Sequence, residues 1–185
     1  RNDRIRVQDQ DIGILDANLR RVAAFFADRP CRLRPHFKSH KCTALARRQL
    51  AAGSAVGITC AKLSEAEALV AAGLDDILIA NQVVGTGKML RLANLNGYAT
   101  VRVAVDSPFH IRQLAEAAQQ AGVEIGVLVE VDIGMGRCGV SAGLPALELA
   151  RMVTGEAGLR FDGLQDYEGH LVMIADREKR REKTR

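Results

Sequence analysis

Six short apolar runs, recurring every twenty-odd residues, constrain this 185-residue chain more than any other feature. They cover residues 32–36, 55–60, 76–80, 100–105, 125–132 and 159–164. Most are continuously apolar instead of alternating, the pattern of strands buried on both faces of a parallel sheet. Parallel neighbours need a long crossover, usually a helix, and the intervening segments carry helix punctuation. Ser64-Glu65-Ala66-Glu67 reads as a capping box for a helix ending at Gly73. Ser107-Pro108 gives an N-cap with proline in the first turn and a stop at Gly122, and Pro145 opens a helix that can run to Gly155. An earlier helix ends at Gly53, and an amphipathic segment over 18–27 precedes the first run. The recurrence predicts a βα barrel or a doubly wound sheet. A closed barrel has eight strands and about 250 residues, so six units predict a partial one.

The chemistry concentrates where the first run ends, in Arg34-Pro35-His36-Phe37-Lys38-Ser39-His40-Lys41. In an extended strand His36, Lys38 and His40 project to one face. Neighbouring positive charge and partial burial disfavour the protonated form of Lys38, which suits Schiff-base chemistry. A solvated basic patch is the competing reading, and Pro35 in mid-strand requires a strand leaving the sheet at a rim.

Gly134-Met135-Gly136-Arg137-Cys138-Gly139 fits G-x-G-x-x-G and follows a run. A dinucleotide site is disfavoured, because the motif falls in the fifth unit and the next helix starts only at Pro145. The glycines instead permit a loop that aims Arg137 into a barrel mouth, with an exposed loop arginine as the alternative. Glu130 and Asp132 alternate before that loop, where an internal ion pair fits at least as well as acid–base work. Tyr167 follows the sixth run and reads equally well as a packed tyrosine. Asn81 and Cys60 end runs at the expected rim and read as packing residues.

The octapeptide closely resembles the cofactor-lysine segment of the D-threonine aldolase and D-serine dehydratase family. Those are pyridoxal-phosphate enzymes built on the alanine racemase barrel. Further segments match in the same order. They are Ser54-Ala55-Val56-Gly57-Ile58-Thr59-Cys60-Ala61-Lys62, Asp75-Asp76-Ile77-Leu78-Ile79-Ala80-Asn81-Gln82-Val83 and Val129-Glu130-Val131-Asp132-Ile133-Gly134-Met135-Gly136-Arg137-Cys138-Gly139-Val140. Gly163-Leu164-Gln165-Asp166-Tyr167-Glu168-Gly169-His170 is a near match, with Asp166 where a small residue is more usual. The resemblance spans residues 12–172.

The resemblance implies an α/β fold, a partial (β/α)8 TIM barrel of the alanine racemase N-terminal type with six βα units. Residues 1–185 would form an incomplete pyridoxal-phosphate-binding barrel domain without its C-terminal β-domain. It further implies that Lys38 is the catalytic Schiff-base lysine. His36 would tune it or touch the cofactor, Arg137 would lie beside the ring's phenolic oxygen, and Tyr167 would bond the pyridine nitrogen. The implied reaction is cleavage of a 3-hydroxy-D-amino acid to glycine and an aldehyde, inactive in a fragment of this length. D-serine dehydration and cofactor binding without catalysis are the alternatives. A divalent metal (Mn, Mg or Zn) is expected only with the C-terminal domain, so no residue here is expected to hold one. The full-length protein is expected to be a homodimer acting on a small D-amino acid.

Other function classes fit less well. The net charge of +4 lies largely in Arg1–Arg6 and the last ten residues, and the seven aromatics do not interleave with basic residues. That argues against a nucleic-acid surface. No apolar run has the length of a membrane span and the charged N-terminus lacks a signal core, so the expected location is the cytoplasm. Cys31, Cys42, Cys60 and Cys138 show no metal spacing and read as reduced thiols.

Overall fold

The computed structural model describes residues 12–184. The charged N-terminus, on which the location and part of the charge argument rest, lies outside them. Helices α1 (Ile12–Phe26) and α2 (Thr43–Ala51) precede a regular alternation. It runs β1 (Ile58–Cys60), α3 (Leu63–Ala71), β2 (Asp76–Gln82), α4 (Thr86–Asn96), β3 (Thr100–Val105), α5 (Pro108–Ala121), β4 (Ile125–Glu130), α6 (Leu144–Gly155) and β5 (Leu159–Gln165). A short α7 (Arg177–Lys183) follows.

The strands form one parallel sheet in sequential order, β1-β2-β3-β4-β5. A doubly wound dinucleotide fold reverses strand order at a switch point, and this sheet has none. It is an arc of a βα barrel. The outward strand residues Ile77, Ile79, Val101, Val103, Ile125 and Val127 are fully buried with Leu69, Leu92, Ile111, Leu114 and Val153 of the covering helices. The inward positions Asp76, Leu78 and Ala80 of β2 are only half-buried, because five strands do not close around them. Burial on both faces therefore does not hold for β2.

The first expected strand is not one. Residues 32–36 make only two isolated bridges, Leu33 to Ala55 just before β1 and His36 to Thr59 within it. Pro35 has no N–H to donate, so the segment cannot hold a continuous ladder. Its carbonyl still accepts from the Thr59 N–H at 2.8 Å. Six expected strands become five plus a bridged segment.

The helix signals at Ser107, Gly122 and Gly73 hold. The Ser107 hydroxyl accepts from the His110 N–H, and Gly122 and Gly73 take positive φ at the helix ends. The capping box shifts by two residues. Lys62 is the N-cap, and Glu65 reaches back to the Ala61 N–H at 2.9 Å. Glu67 instead pairs with Arg91.

Candidate active site

The C-terminal ends of the strands surround a cavity of about 620 Å³, within the range of small-molecule sites. His36, Lys38, Arg137 and Tyr167 all line it. The fold thus gathers at one place four residues that stand up to 131 positions apart in the chain. Neither Lys41 nor Lys62 lines it.

Lys38 sits in a single 3-10 turn, Phe37–Ser39, that starts where the bridged segment ends. Phe37 is buried and anchors the turn. The Lys38 backbone N–H donates to Nδ1 of His36 at 3.3 Å, and the Cys42 N–H donates to Nδ1 of His40 at 3.1 Å. His40 stacks edge-on against Phe37, with ring centroids 5.4 Å apart. The imidazoles therefore hold the backbone on either side of Lys38 instead of sharing one strand face with it. Lys38 itself is exposed, not partly buried as its neighbours suggested. Lys41 takes a left-handed φ of 49° as the turn closes, a conformation uncommon outside glycine. Its ammonium is directed to Glu65 at 3.7 Å.

His36 is held below its ordinary pKa of 6.5, first by burial and then by the Lys38 charge, with Glu65 and a Thr59 backbone contact pulling the other way. It is neutral at neutral pH. Because Nδ1 accepts, its proton is on Nε2.

Arg137 is carried by the loop between β4 and α6. Gly134, Gly136 and Gly139 all have positive φ there. At Gly139 a Cβ would strike the backbone of Val131 and Asp132, so the loop turns back tightly on the end of β4. The Asp132 carboxylate accepts from the Gly134 and Gly136 N–H groups, each at 3.0 Å, which fixes the turn and lowers its pKa. The Arg137 guanidinium lies over the Tyr167 ring, 5.3 Å from its centroid, within cation–π range.

Glu130 is 3 % exposed at the end of β4. It accepts from Gln82 Nε2 at 2.6 Å and from the Cys138 thiol at 3.3 Å, and Arg137 Nη2 lies 4.0 Å away. The ion pair expected of Glu130 is present; Asp132 serves the loop instead. Cys60 is a packing residue, as read, being fully buried. Asn81 lines the cavity while its side-chain amide donates to the Ala61 carbonyl at 3.1 Å.

Thr59, Gln82 and Gln165 also line the cavity and were not anticipated. The available signal was their place, since polar residues ending apolar runs face the active end of a barrel. Gln165 Oε1 is buried without a hydrogen-bond partner.

Residues 10–184 match the alanine racemase N-terminal domain. The chain belongs to that family. D-Threonine aldolase of Arthrobacter sp. is 46% identical over 172 residues, covering 93% of this chain and 45% of that protein. 3-Hydroxy-D-aspartate aldolase of Paracoccus denitrificans (strain Pd 1222) is 38% identical over 171 residues, covering 90% of this chain and 44% of that protein. The crystal structure of D-threonine aldolase from Filomicrobium marinum superposes with a TM-score of 0.91 at 46% identity. That match covers 94% of this chain and 47% of the solved one. This alanine racemase N-terminal domain thus spans under half the length of these relatives. Among its described residues no helix is long and apolar enough to cross a membrane.

Proposed function

We propose that this chain supplies the cofactor-lysine half of a pyridoxal-phosphate-dependent aldolase that cleaves 3-hydroxy-D-amino acids to glycine and an aldehyde. The observation that carries the reading is the convergence of Lys38, His36, Arg137 and Tyr167 on one 620 Å³ cavity. The likeness of the chain to D-threonine and 3-hydroxy-D-aspartate aldolases supports the reaction class. The lining fits the cofactor. It offers a primary amine for an aldehyde, a guanidinium and a phenol for ring heteroatoms, and the unpartnered oxygen of Gln165.

When bound, pyridoxal phosphate supplies the electron sink that makes a bond at Cα breakable. Everything else is the work of the side chains. Lys38, an exposed residue that lines the cavity, provides the amine to which the cofactor aldehyde attaches. Neutral His36 holds the Lys38 backbone through Nδ1 and keeps an N–H donor on Nε2. Arg137 remains charged and directs fixed donors toward oxygen. Tyr167, a neutral phenol, can donate to a ring nitrogen without protonating it. Among the described residues no group of three His, Cys, Asp or Glu side chains could hold a metal ion.

The test is reduction of the cofactor-loaded full-length protein with borohydride, followed by peptide mapping and assay with D-threonine. The expected result is a pyridoxyl group on Lys38, with glycine and acetaldehyde formed from D-threonine and not from L-threonine. A label on Lys41 or Lys62 would sink the site assignment. Pyruvate from D-serine without glycine from D-threonine would move the reaction to dehydration.

A further inference from the structure

Glu130 is a buried carboxylate that the reading above leaves without a task. Burying such a group is costly unless its oxygens are bonded, and here each oxygen has a designated donor. Oε2 accepts from Gln82 of β2, and Oε1 accepts from Cys138 in the loop after β4. Burial keeps the Cys138 thiol protonated by pushing its pKa up, so it can act as that donor. Arg137 Nη2, at 4.0 Å from Oε1, is the cation facing the pair.

The Gln82 contact depends on an irregularity in the sheet. Ile79 pairs with Val103, yet Gln82 pairs with the next residue, Ala104. Ala80 and Asn81 are therefore extra on β2, and such a bulge re-aims the side chain that follows it. Three independent features converge on Glu130: the bulge that delivers Gln82, the glycine turns that deliver Cys138, and the end of β4 itself.

We propose that Glu130 is a positioning residue, which fixes the Arg137 guanidinium over the cavity by anchoring its loop through Cys138 and balancing its charge. This rests on the functional reading, in which Arg137 meets the cofactor. Arg137 is half-exposed, and its ring contact with Tyr167 alone leaves it free to swing into solvent. A carboxylate below it, immobilised from a second strand by Gln82, restricts that swing. Glu130 does not line the cavity, whereas its neighbours Gln82, Cys138 and Arg137 do.

The experiment is a double-mutant cycle in the full-length protein with Glu130→Gln, Arg137→Gln and the pair. The readouts are pyridoxal phosphate affinity and the absorbance spectrum of the bound cofactor. Glutamine keeps one acceptor oxygen and the shape of Glu130 but loses the charge and one of the two anchors. E130Q should weaken cofactor affinity about tenfold and shift the absorbance maximum, and should add less than about twofold in the R137Q background. E130Q indistinguishable from wild type in both readouts, or effects that multiply in the double variant, would overturn the role. A change in the thermal melt of the cofactor-free protein without a spectral change would likewise overturn it in favour of packing. Wild-type protein that takes up no pyridoxal phosphate would overturn the functional reading first, and this one with it.

Discussion

Arg102 on β3 and Asp162 on β5 meet across the inside of the barrel arc, Nε to Oδ2 at 2.7 Å, although β4 lies between their strands. An irregularity in β5 brings them together. Val127 pairs with Phe161 and Leu128 with Gly163, so Asp162 is an extra residue. The contact belongs to a chain of alternating charge, Arg34–Asp76–Arg102–Asp162–Arg160–Glu124, at the end of the sheet opposite the cavity. The two ends have separate tasks. Polar side chains at the strand C-termini line the cavity, whereas those at the N-termini neutralise one another.

Asp162 is the hub, so Asp162→Ala leaves both Arg102 and Arg160 without their shared carboxylate. The side chain is mostly buried, and stranding its partners should cost about 2 kcal/mol in a urea titration. Arg160, then Arg102, hold the Asp162 carboxyl below its ordinary pKa of 3.8. Its stabilisation is therefore complete above that value and lost as pH falls through the lowered one. The wild type should lose more stability on acidification than D162A. Gly126 gives an independent check, because a Cβ there would strike the Asp162 carboxylate and crowd Arg102 and Arg160. Gly126→Ala should destabilise the wild type by about 1–3 kcal/mol and D162A by less. Equal costs in both backgrounds would show that the two side chains do not compete for that space.

His36 makes a second pH-dependent contribution, of opposite origin. Burial favours its neutral form in the fold, so the unfolded chain binds the proton more tightly. Stability from this group is fully present above 6.5 and is lost as pH falls below it toward the depressed folded value. His36→Asn keeps an acceptor for the Lys38 N–H and removes the titration. The urea midpoint of the wild type should fall more between about pH 7 and about pH 5 than that of H36N. Parallel curves would mean that the imidazole titrates alike in the folded and unfolded states.

Both the order of units and the clustering of chemistry in the segment that carries Lys38 to the cavity were legible in the chain, for different reasons. The strands announced themselves because Ile77, Ile79, Val101, Val103 and Val127 are outward-facing and covered by helices, so their apolar character had no alternative use. The glycine stops at Gly73 and Gly122 are backbone requirements, equally local. What the pattern could not display is register. Gln82 and Asp162 owe their direction to bulges, which depend on the neighbouring strand and leave no mark in their own segment. The segment before Lys38 shows the converse. Pro35 warned against a ladder, yet only the bridge to Thr59 reveals that the lysine rises from a 3-10 turn held by two imidazoles.

Asp132 is expected to be the latch of the loop that carries Arg137. Its carboxyl pKa is lowered chiefly by the Gly136 and Gly134 N–H groups, both of which donate to Oδ1 at 3.0 Å. Asp132→Ala should speed hydrogen exchange at Gly134 and Gly136 while leaving β4 protected, and should weaken pyridoxal phosphate binding through Arg137. Asp132→Asn, which retains one carbonyl oxygen, should fall between the two. Unchanged exchange at both glycines in D132A would show that their positive φ alone shapes the turn.

The four cysteines should separate cleanly by reactivity. Cys60 ends β1 inside the core at 0% exposure, and its thiol is pushed up to about 12 by burial, with the Glu65 charge adding to the shift. At about pH 8 only about one such thiol in ten thousand is ionised, and the thiolate is the reactive form. Cys31 is exposed, and Cys42 and Cys138 are intermediate. Iodoacetamide followed by peptide mass spectrometry should modify Cys31 first. Cys138 should be slower, because burial raises its pKa and its thiol is committed to Glu130. Cys60 should react only after urea unfolds the sheet. Early alkylation of Cys60 at the rate of Cys31 would mean that the end of β1 opens without global unfolding. That opening would also release Thr59, whose N–H bond to the Pro35 carbonyl ties the Lys38 segment to the sheet.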